Sequence, residues 1–154
     1  MIRMLTELHR TRKAVAALEF ALLATPLLLL VLGTLEFGRL MWFREALQMT
    51  ANEGARCMGV VATSCASSGA YDAPSTTTYI ENVANNWGIT LVGANVTLVR
   101  PSTNANCLPT QLTVPVTPMS EVTITYTFQT AIPQLLNMLV GKSLTAHACF
   151  PNSS

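Results

Sequence analysis

A long apolar run near the N-terminus constrains this chain more than any other feature of its sequence. Across residues 14–35 the single ionisable side chain is Glu19, and residues 20–35, FALLATPLLLLVLGTL, carry no charge. A helix over residues 15–35 would be about 31 Å long, which matches the roughly 30 Å thickness of a bilayer's hydrocarbon core. We therefore predict a membrane-spanning helix over residues 15–37.

Basic residues before the apolar run indicate its orientation. Four of the nine lysines and arginines lie in the first thirteen positions, opposed there only by Glu7: Arg3, Arg10, Arg12 and Lys13. No comparable cluster follows the run directly. By the positive-inside rule the N-terminus is cytoplasmic, and everything after about Arg39 is outside.

A cleaved secretory signal is the competing interpretation, because a basic region followed by an apolar stretch is also its outline. Glu19 interrupts the apolar stretch near its start, and the sequence after the apolar core, VLGTLEFGR, offers no A-x-A-like cleavage site. We therefore favour an anchor that is either uncleaved or cleaved in a different way.

Composition narrows the remaining classes of protein. The 154 residues have room for about one domain. Half of the residues are hydrophobic and only 11% are charged, against roughly 25% charged residues in an ordinary soluble domain. A chain this apolar and this weakly charged is not intrinsically disordered. A net charge of +1 lacks the basic excess that binding a row of phosphates requires, so nucleic acid is not an expected partner.

The helix is predicted to continue beyond the membrane as an amphipathic helix over residues 38–58. Apolar residues recur there at spacings of three and four: Leu40, Phe43, Leu47, Ala51, Gly54 and Met58. No strong breaker interrupts the stretch, so one helix should run over about residues 15–57. Met41, Met49 and Met58 are spaced as packing residues of this helix, and we expect them in the core.

Residues 59–154 are predicted to form an extracytoplasmic head. After Met58 the composition turns to Ser, Thr, Ala, Asn and Gly, which predicts a loop leading to a short helix capped by Ser75 or a following threonine. This helix should end near Trp87 and Gly88. One of its faces is apolar: Tyr79, Ile80, Val83 and Trp87.

The second half of the head is predicted to be a small antiparallel sheet, which makes the fold class α+β. Strands are expected in residues 89–100 and 143–150 and in EVTITYTFQ, where four apolar residues alternate strictly with polar ones: Val122, Ile124, Tyr126 and Phe128. A proline-rich loop over residues 101–118 precedes EVTITYTFQ, and residues 132–142 suggest a short apolar helix or a loop.

Four cysteines lie after the membrane span, and an even number on the oxidising side indicates two disulfides. Cys57 ends the long helix and Cys65 lies eight residues on, so a turn can join them. If the last strand is antiparallel to EVTITYTFQ, Cys149 lies near Cys107. We therefore expect bridges 57–65 and 107–149. Zinc is the rival interpretation, but no C-x-x-C spacing exists and His147 is the only histidine outside, so we expect no metal.

Nothing in the sequence indicates an enzyme. A Ser-His-Asp triad in the head would have to use His147 and Asp72, which no motif positions, and G-x-S-x-G is absent. Glu81 and Glu121 could form a carboxylate pair only if the fold happened to bring them together. His147 lies in the alternation of a strand and is interpreted as structural. We expect no catalytic residue and no cofactor.

The run RTRKAVAALEFALLATPLLLLVLGTLEFGR resembles the N-terminus of TadE-like minor pilins, or pseudopilins, of the tight-adherence (Flp-type) pilus machinery. The resemblance is strong over roughly residues 12–56. Downstream, EVTITYTFQTAIPQLLNMLVGKSLTAHA is similar to the family's usual strand, short helix and final strand. The resemblance implies a pilin-like fold on a single-pass protein of the bacterial inner membrane, with its C-terminal domain periplasmic or extracellular.

The resemblance also implies a basic leader, residues 1–14, which a membrane prepilin peptidase removes. The family's glutamate lies at the fifth position after the cut, and counting back from Glu19 places the cut between Ala14 and Val15. The residue before the cut is usually glycine in the family, and Ala14 departs from that pattern. Other implied partners are pilins, minor pilins and an inner-membrane assembly platform.

Glu19 needs a function because a carboxylate at the end of an apolar span costs free energy unless it has a partner. In pilin assembly the partner would be the ammonium of Val15 on a neighbouring subunit, which the cut creates. Alternatively, Glu19 reaches the lipid headgroups or pairs with Arg12 or Lys13. Glu36 and Arg39, three residues apart, are expected to form an ion pair where the helix leaves the bilayer.

These observations favour a structural minor pilin or pseudopilin that assembles or primes an adhesive pilus. The alternative is a permanently anchored envelope protein whose outer domain binds a partner or a surface. Leader cleavage distinguishes the two.

Overall fold

The computed structural model describes residues 2–102, 107, 118–131 and 141–153, and only the helical backbone of residues 2–14. The chain divides into two compact units, Met1–Arg39 and Leu40–Ser154.

Helix α1, Ile2–Gly59, is the long N-terminal helix that the sequence predicts, and it begins earlier than expected. It contains Pro26 and stays helical on both sides of that residue. Its portion from Val15 onward is long and apolar enough to cross a membrane, with a mean hydropathy of 2.4 in its most apolar window. Large apolar side chains such as Leu18 and Leu23 are exposed there, as an apolar solvent would require.

From Leu40 onward, α1 provides one wall of the core of the head. The side chain of Leu47 is fully buried, and three residues one to three turns further along the helix lie against the same core: Ala51, Ala55 and Met58. This spacing of three and four is the period of one helix face, so the amphipathic pattern indicated the packing face correctly. The expectation for the methionines is partly wrong, because Met41 and Met49 are 42% and 46% exposed.

Helix α2, Ala73–Asn86, contributes the second wall of the core through Ile80 and Ala84. Its N-cap is Asp72, not Ser75 as predicted, and Pro74 occupies its first turn. The helix begins earlier because the Asp72 carboxylate accepts from the Ser75 backbone N–H, which has no partner within the helix.

The C-terminal end of α2 lies where the sequence predicts. Trp87 is its C-cap, and Gly88 follows with a φ of +75° that suits glycine. The apolar face is only partly as expected, since Trp87 is 41% exposed.

Two short strands, β1 (Ala66–Ser67) and β2 (Ala70–Tyr71), form an antiparallel hairpin in a stretch predicted to be a loop. Its two-residue turn, Ser68 and Gly69, has positive φ at both positions. This geometry matches the right-handed twist of a hairpin. With only two residues per strand, no alternation of apolar and polar residues could reveal it.

Within the described residues the main sheet has three antiparallel strands in the order β3-β4-β5: β3 is Val96–Ser102, β4 is Met119–Thr127 and β5 is Ser143–Pro151. This confirms the α+β class. The expected strand at residues 89–100 begins late because a 3₁₀ turn occupies Gly93–Asn95. Residues 132–140 and most of the proline-rich loop, where we expected a short helix and a connection, lie outside the described residues.

Side chains alternate along β4, so one face of the sheet packs on the core and the other faces away from it. Val122 and Ile124 join the core with Ala146 and Ala148 of β5. Glu121 therefore lies on the opposite face, because successive side chains of a strand alternate. The pairing of β4 with β5 sets Glu121 directly across from Cys149.

Candidate functional site

The residues that were predicted to serve processing and assembly lie on one stretch of α1. Ala14 and Val15 are both within the helix, and Glu19 is exposed on its surface. Residues four apart in a helix share a face, so the Glu19 carboxylate lies one turn from Val15. The predicted cleavage site and the Glu19 carboxylate are therefore neighbours on α1.

Glu36 and Arg39 form the expected ion pair, with Arg39 Nη1 3.1 Å from Glu36 Oε1. The pair differs from a solvated surface pair, because Glu36 is only 5% exposed. A buried carboxylate is unfavourable without a charged partner, and the guanidinium supplies one.

The cysteines are paired as we expected, Cys57 with Cys65 and Cys107 with Cys149. The first bridge closes the end of α1 onto the turn that follows it. The second joins Cys107 to strand β5. Antiparallel pairing of β4 and β5 is the reason that Cys149 comes back toward the start of β4.

A cluster of polar side chains lies on the sheet face opposite the core, and the sequence analysis did not anticipate it. Glu121 is almost fully buried, and its Oε1 lies 2.9 Å from His147 Nε2. Its other oxygen accepts a hydrogen bond of 2.5 Å from the Ser102 hydroxyl. An ionised carboxylate can only accept, so Nε2 of the imidazole carries the proton in this contact.

This order of groups does not perform nucleophilic catalysis. In a serine hydrolase the imidazole lies between the serine and the carboxylate, so that it can take the hydroxyl proton. Here the Glu121 carboxylate lies between Ser102 and His147, and the imidazole is hydrogen-bonded away from the serine. Asp72, the other residue considered for a triad, caps α2.

His147 also lies against the second disulfide. Its Nε2 is 3.9 Å from Cys107 Sγ and 3.8 Å from Cys149 Sγ, and its Nδ1 is 4.0 Å from Cys149 Sγ. His147 and Cys149 are two apart in β5 and so share a face of the sheet. The sequence alone could not predict this cluster, because Glu121 reaches His147 only through the register of β4 against β5.

Two pKa shifts occur at the start of α2. Hydrogen bonds from the Ser75 hydroxyl and from its backbone N–H lower the pKa of Asp72. Burial raises the pKa of the Tyr71 phenol, and the nearby Arg100 guanidinium opposes that effect. Arg100 lies over the Tyr71 ring, 5.3 Å from its centroid, so this contact also links β2 to β3.

An exposed aromatic pair lies between α1 and α2 in the head. Trp42 and Trp87 meet edge to face, with 5.7 Å between ring centroids, and both side chains are exposed. Met49 and Val83 line the shallow depression beside Trp87. These residues explain why the apolar pattern of the two helices is wider than the buried core.

Comparison with known proteins gives a family for the long helix. Residues 14–56 match the family described as TadE-like protein, and the matched stretch lies within α1. This confirms the resemblance noted in the sequence. The match covers 43 of the 154 residues, all of them in α1, and it includes most of the apolar stretch that is long enough to cross a membrane. Searches of curated proteins and of solved structures gave no match.

Proposed function

We propose that this chain is a minor pilin or pseudopilin that assembles or primes a tight-adherence pilus. The observation that carries the proposal is the TadE-like match over residues 14–56, because it covers the predicted cut, Glu19 and the apolar span together. A purely anchoring helix needs only length and hydrophobicity, and it has no requirement for a carboxylate near its start.

In this proposal residues 15–37 cross the inner membrane with the N-terminus in the cytoplasm. Residues 38–58 continue the helix into the head, and residues 59–154 complete a domain on the periplasmic or extracellular side. Two disulfides in the head support that placement, since bridges persist in oxidising compartments. The basic residues before the helix support the same orientation.

Processing would remove the leader, residues 1–14, by cleavage between Ala14 and Val15. A prepilin peptidase is the proposed partner for this step. Both residues are helical in the intact chain, so the scissile peptide bond would have to unwind locally to reach the protease. Alanine favours helix more than the glycine usual at this position, which predicts that cleavage is slower here than with glycine at position 14.

Glu19 would then serve assembly. Cleavage creates an ammonium group on Val15, and the carboxylate of a neighbouring subunit can pair with it inside the apolar layer. The pairing is favourable because an unpaired charge in a bilayer costs free energy, on the order of 2.5–3.5 kcal/mol at the centre of the helix and less near its end, where Glu19 lies. The other proposed partners are pilins, minor pilins and the inner-membrane assembly platform.

N-terminal sequencing of the membrane-extracted protein tests the processing step. Co-expressed with its own prepilin peptidase, the protein should begin at Val15. Ala14→Gly should be cleaved at the same bond and faster, which provides a positive control for the peptidase. Recovery of only the intact N-terminus in both proteins would reject a processed pilin, and a terminus after Leu32 would indicate an ordinary secretory signal.

Glu19→Gln tests the assembly role, since it keeps the shape of the side chain and removes the charge. The variant should insert, be cleaved and fold its head, yet fail to restore pili in a strain that lacks the protein. Glu45→Gln, at an exposed position of α1 in the head, is the matched control and should restore them. Normal piliation with Glu19→Gln at equal expression would favour the anchored envelope protein instead.

A further inference from the structure

We propose that Trp42 and Trp87 hold the head against the membrane, with their rings in the headgroup layer of the leaflet from which α1 emerges. The occupant of this exposed aromatic pair is phospholipid, at the depth where the headgroups meet the acyl chains. This inference rests on the membrane span of the proposed function. It goes beyond that function because it assigns a lipid contact to the head itself.

The position of Trp42 along α1 matches the depth of the headgroups. Trp42 is five residues beyond residue 37, the end of the predicted span, and α1 continues through both positions. At 1.5 Å per residue, five residues of helix cover about 7.5 Å. The headgroup region of a bilayer is roughly 5–7 Å thick on each side of the hydrocarbon core. Tryptophan is enriched at this depth because its ring is largely apolar while its indole N–H can donate to polar groups.

Trp87 lies at the same end of the head, because α2 runs antiparallel to the part of α1 that belongs to the head. Ile80 of α2 lies against Gly54 of α1. Seven residues further along the chain, the ring of Trp87 meets that of Trp42 edge to face, with 5.7 Å between centroids. The chain therefore returns along α1 toward Leu40, the first residue of the head. The C-terminal end of α2 is thus at the end of the head that is joined to the span.

The two rings form an apolar patch that water alone would not favour. Trp42 is 57% exposed and Trp87 is 41% exposed, although each contacts the other. Single exposed apolar side chains are ordinary on a protein surface, whereas large ones in contact with each other mark an interaction site. We favour lipid over a protein partner because Trp42 follows the proposed span so closely that lipid is present at this depth in any case.

Basic side chains lie at the same end of the head. Arg44 follows Trp42 by two residues. Ser143, directly after Lys142, lines a depression together with Arg44. The side chains of Arg44 and Lys142 are both exposed, and long cationic side chains at a membrane surface reach the headgroups with their charge. Glu45 is exposed there as well, so the contact depends on the aromatic pair and not on an excess of positive charge.

Quenching of tryptophan fluorescence by labelled lipids tests the proposal, because Trp42 and Trp87 are the two tryptophans of the chain. The full-length protein is reconstituted into vesicles of phosphatidylethanolamine and phosphatidylglycerol that carry a spin label either at the headgroup or near the end of an acyl chain. The variant Trp42→Phe leaves Trp87 as the reporter. The headgroup label should quench its emission more than the deep label does, by about twofold or more, as the interfacial preference of tryptophan requires.

A tryptophan at the other end of the head provides the matched control. In the background Trp42→Phe with Trp87→Phe, the variant Val60→Trp has its reporter directly after α1, at a position that is 45% exposed. That reporter should be open to iodide in solution and insensitive to both lipid labels, whereas Trp87 should be shielded from iodide. Circular dichroism of each variant should match that of the wild type. The unsubstituted protein should itself show quenching of both tryptophans by the headgroup label.

Flotation with the vesicles and resistance to alkaline extraction measure insertion separately from these contacts. Protein that fails both would contradict the membrane span and this inference together. Inserted protein whose Trp87 is open to iodide and quenched by neither label would overturn the lipid contact alone. A Trp87 that is shielded from iodide yet unquenched by lipid would overturn it too, since a second copy or another protein would then cover the ring.

Discussion

At the scale of single residues, Gly54 shows how closely α1 and α2 approach each other. A β-carbon at this position would lie 2.7 Å from both Cγ1 and Cδ1 of Ile80, a distance that packed carbon atoms do not adopt. Ile80 is fully buried, so its side chain has little room to move away. Gly54 is therefore required by the helix contact, although glycine is a poor residue for the interior of a helix.

Gly54→Ala is expected to lower the free energy of unfolding of the head by about 1–3 kcal/mol, the usual cost of overpacking a core. Denaturant unfolding followed by tryptophan fluorescence measures it, since both tryptophans, Trp42 and Trp87, lie in the head. In an Ile80→Ala background the same substitution should cost much less, because the two clashing carbons are gone. Gly38→Ala, which meets nothing within 4 Å, should be neutral or stabilising. Equal losses in the two backgrounds would contradict a clash with Ile80.

At the scale of elements, the start of α2 couples helix formation to pH. The pKa of Asp72 is lowered by the Ser75 hydroxyl and backbone N–H, so the ionised cap stabilises the folded state above the unfolded pKa of about 4. This contribution is lost as the pH falls through the lower folded pKa. A carboxylate beside the positive N-terminal end of a helix has the favourable sign as well.

Thermal unfolding at several pH values checks this expectation. The wild type should lose more stability than Asp72→Asn between pH 6 and pH 3, since asparagine still accepts the backbone hydrogen bond but does not titrate. Ser75→Ala removes the largest cause of the shift and should reduce the pH dependence without abolishing it. Parallel curves for wild type and Asp72→Asn would show that the cap carries no pH-dependent stability.

Periodicity predicted those elements that are long enough to show a period. It identified α1, the buried alternation of β4 and the final strand, because each repeats an apolar spacing over several residues. It did not find the hairpin Ala66–Tyr71, whose strands are two residues long, and it placed the cap of α2 on Ser75, because the sequence offers several capping residues in a row. Met41 and Met49 follow the helical period yet remain exposed, since hydrophobicity alone does not say which apolar face is covered.

At the scale of the whole molecule, the sequence predicted the succession of helices and strands along the chain better than the side-chain cluster that forms when the strands pair. The long apolar helix, the α+β head and the disulfide pairing follow from local sequence patterns and from one assumption about strand direction. The cluster of Ser102, Glu121 and His147 does not, because its members come from three strands and meet only through the register of β3, β4 and β5. A one-residue slip of β5 would turn His147 toward the core.

The two disulfides are expected to stabilise the head unequally. Cys57–Cys65 spans 8 residues and Cys107–Cys149 spans 42. In the chain-entropy model a longer closed loop restricts the unfolded chain more, which gives about 2.5 kcal/mol for the first bridge and about 4 kcal/mol for the second.

Two variants that each keep one bridge test this expectation. For each variant, the free energy of unfolding of the oxidised form is compared with that of its own reduced form. The effects of the serine substitutions on stability then cancel. The oxidised-minus-reduced difference should be larger, by roughly 1–1.5 kcal/mol, for the variant that keeps Cys107–Cys149. A larger difference for Cys57–Cys65 would mean that its buried packing outweighs loop length, so that the short bridge, not the one beside His147, contributes most to the stability of the head.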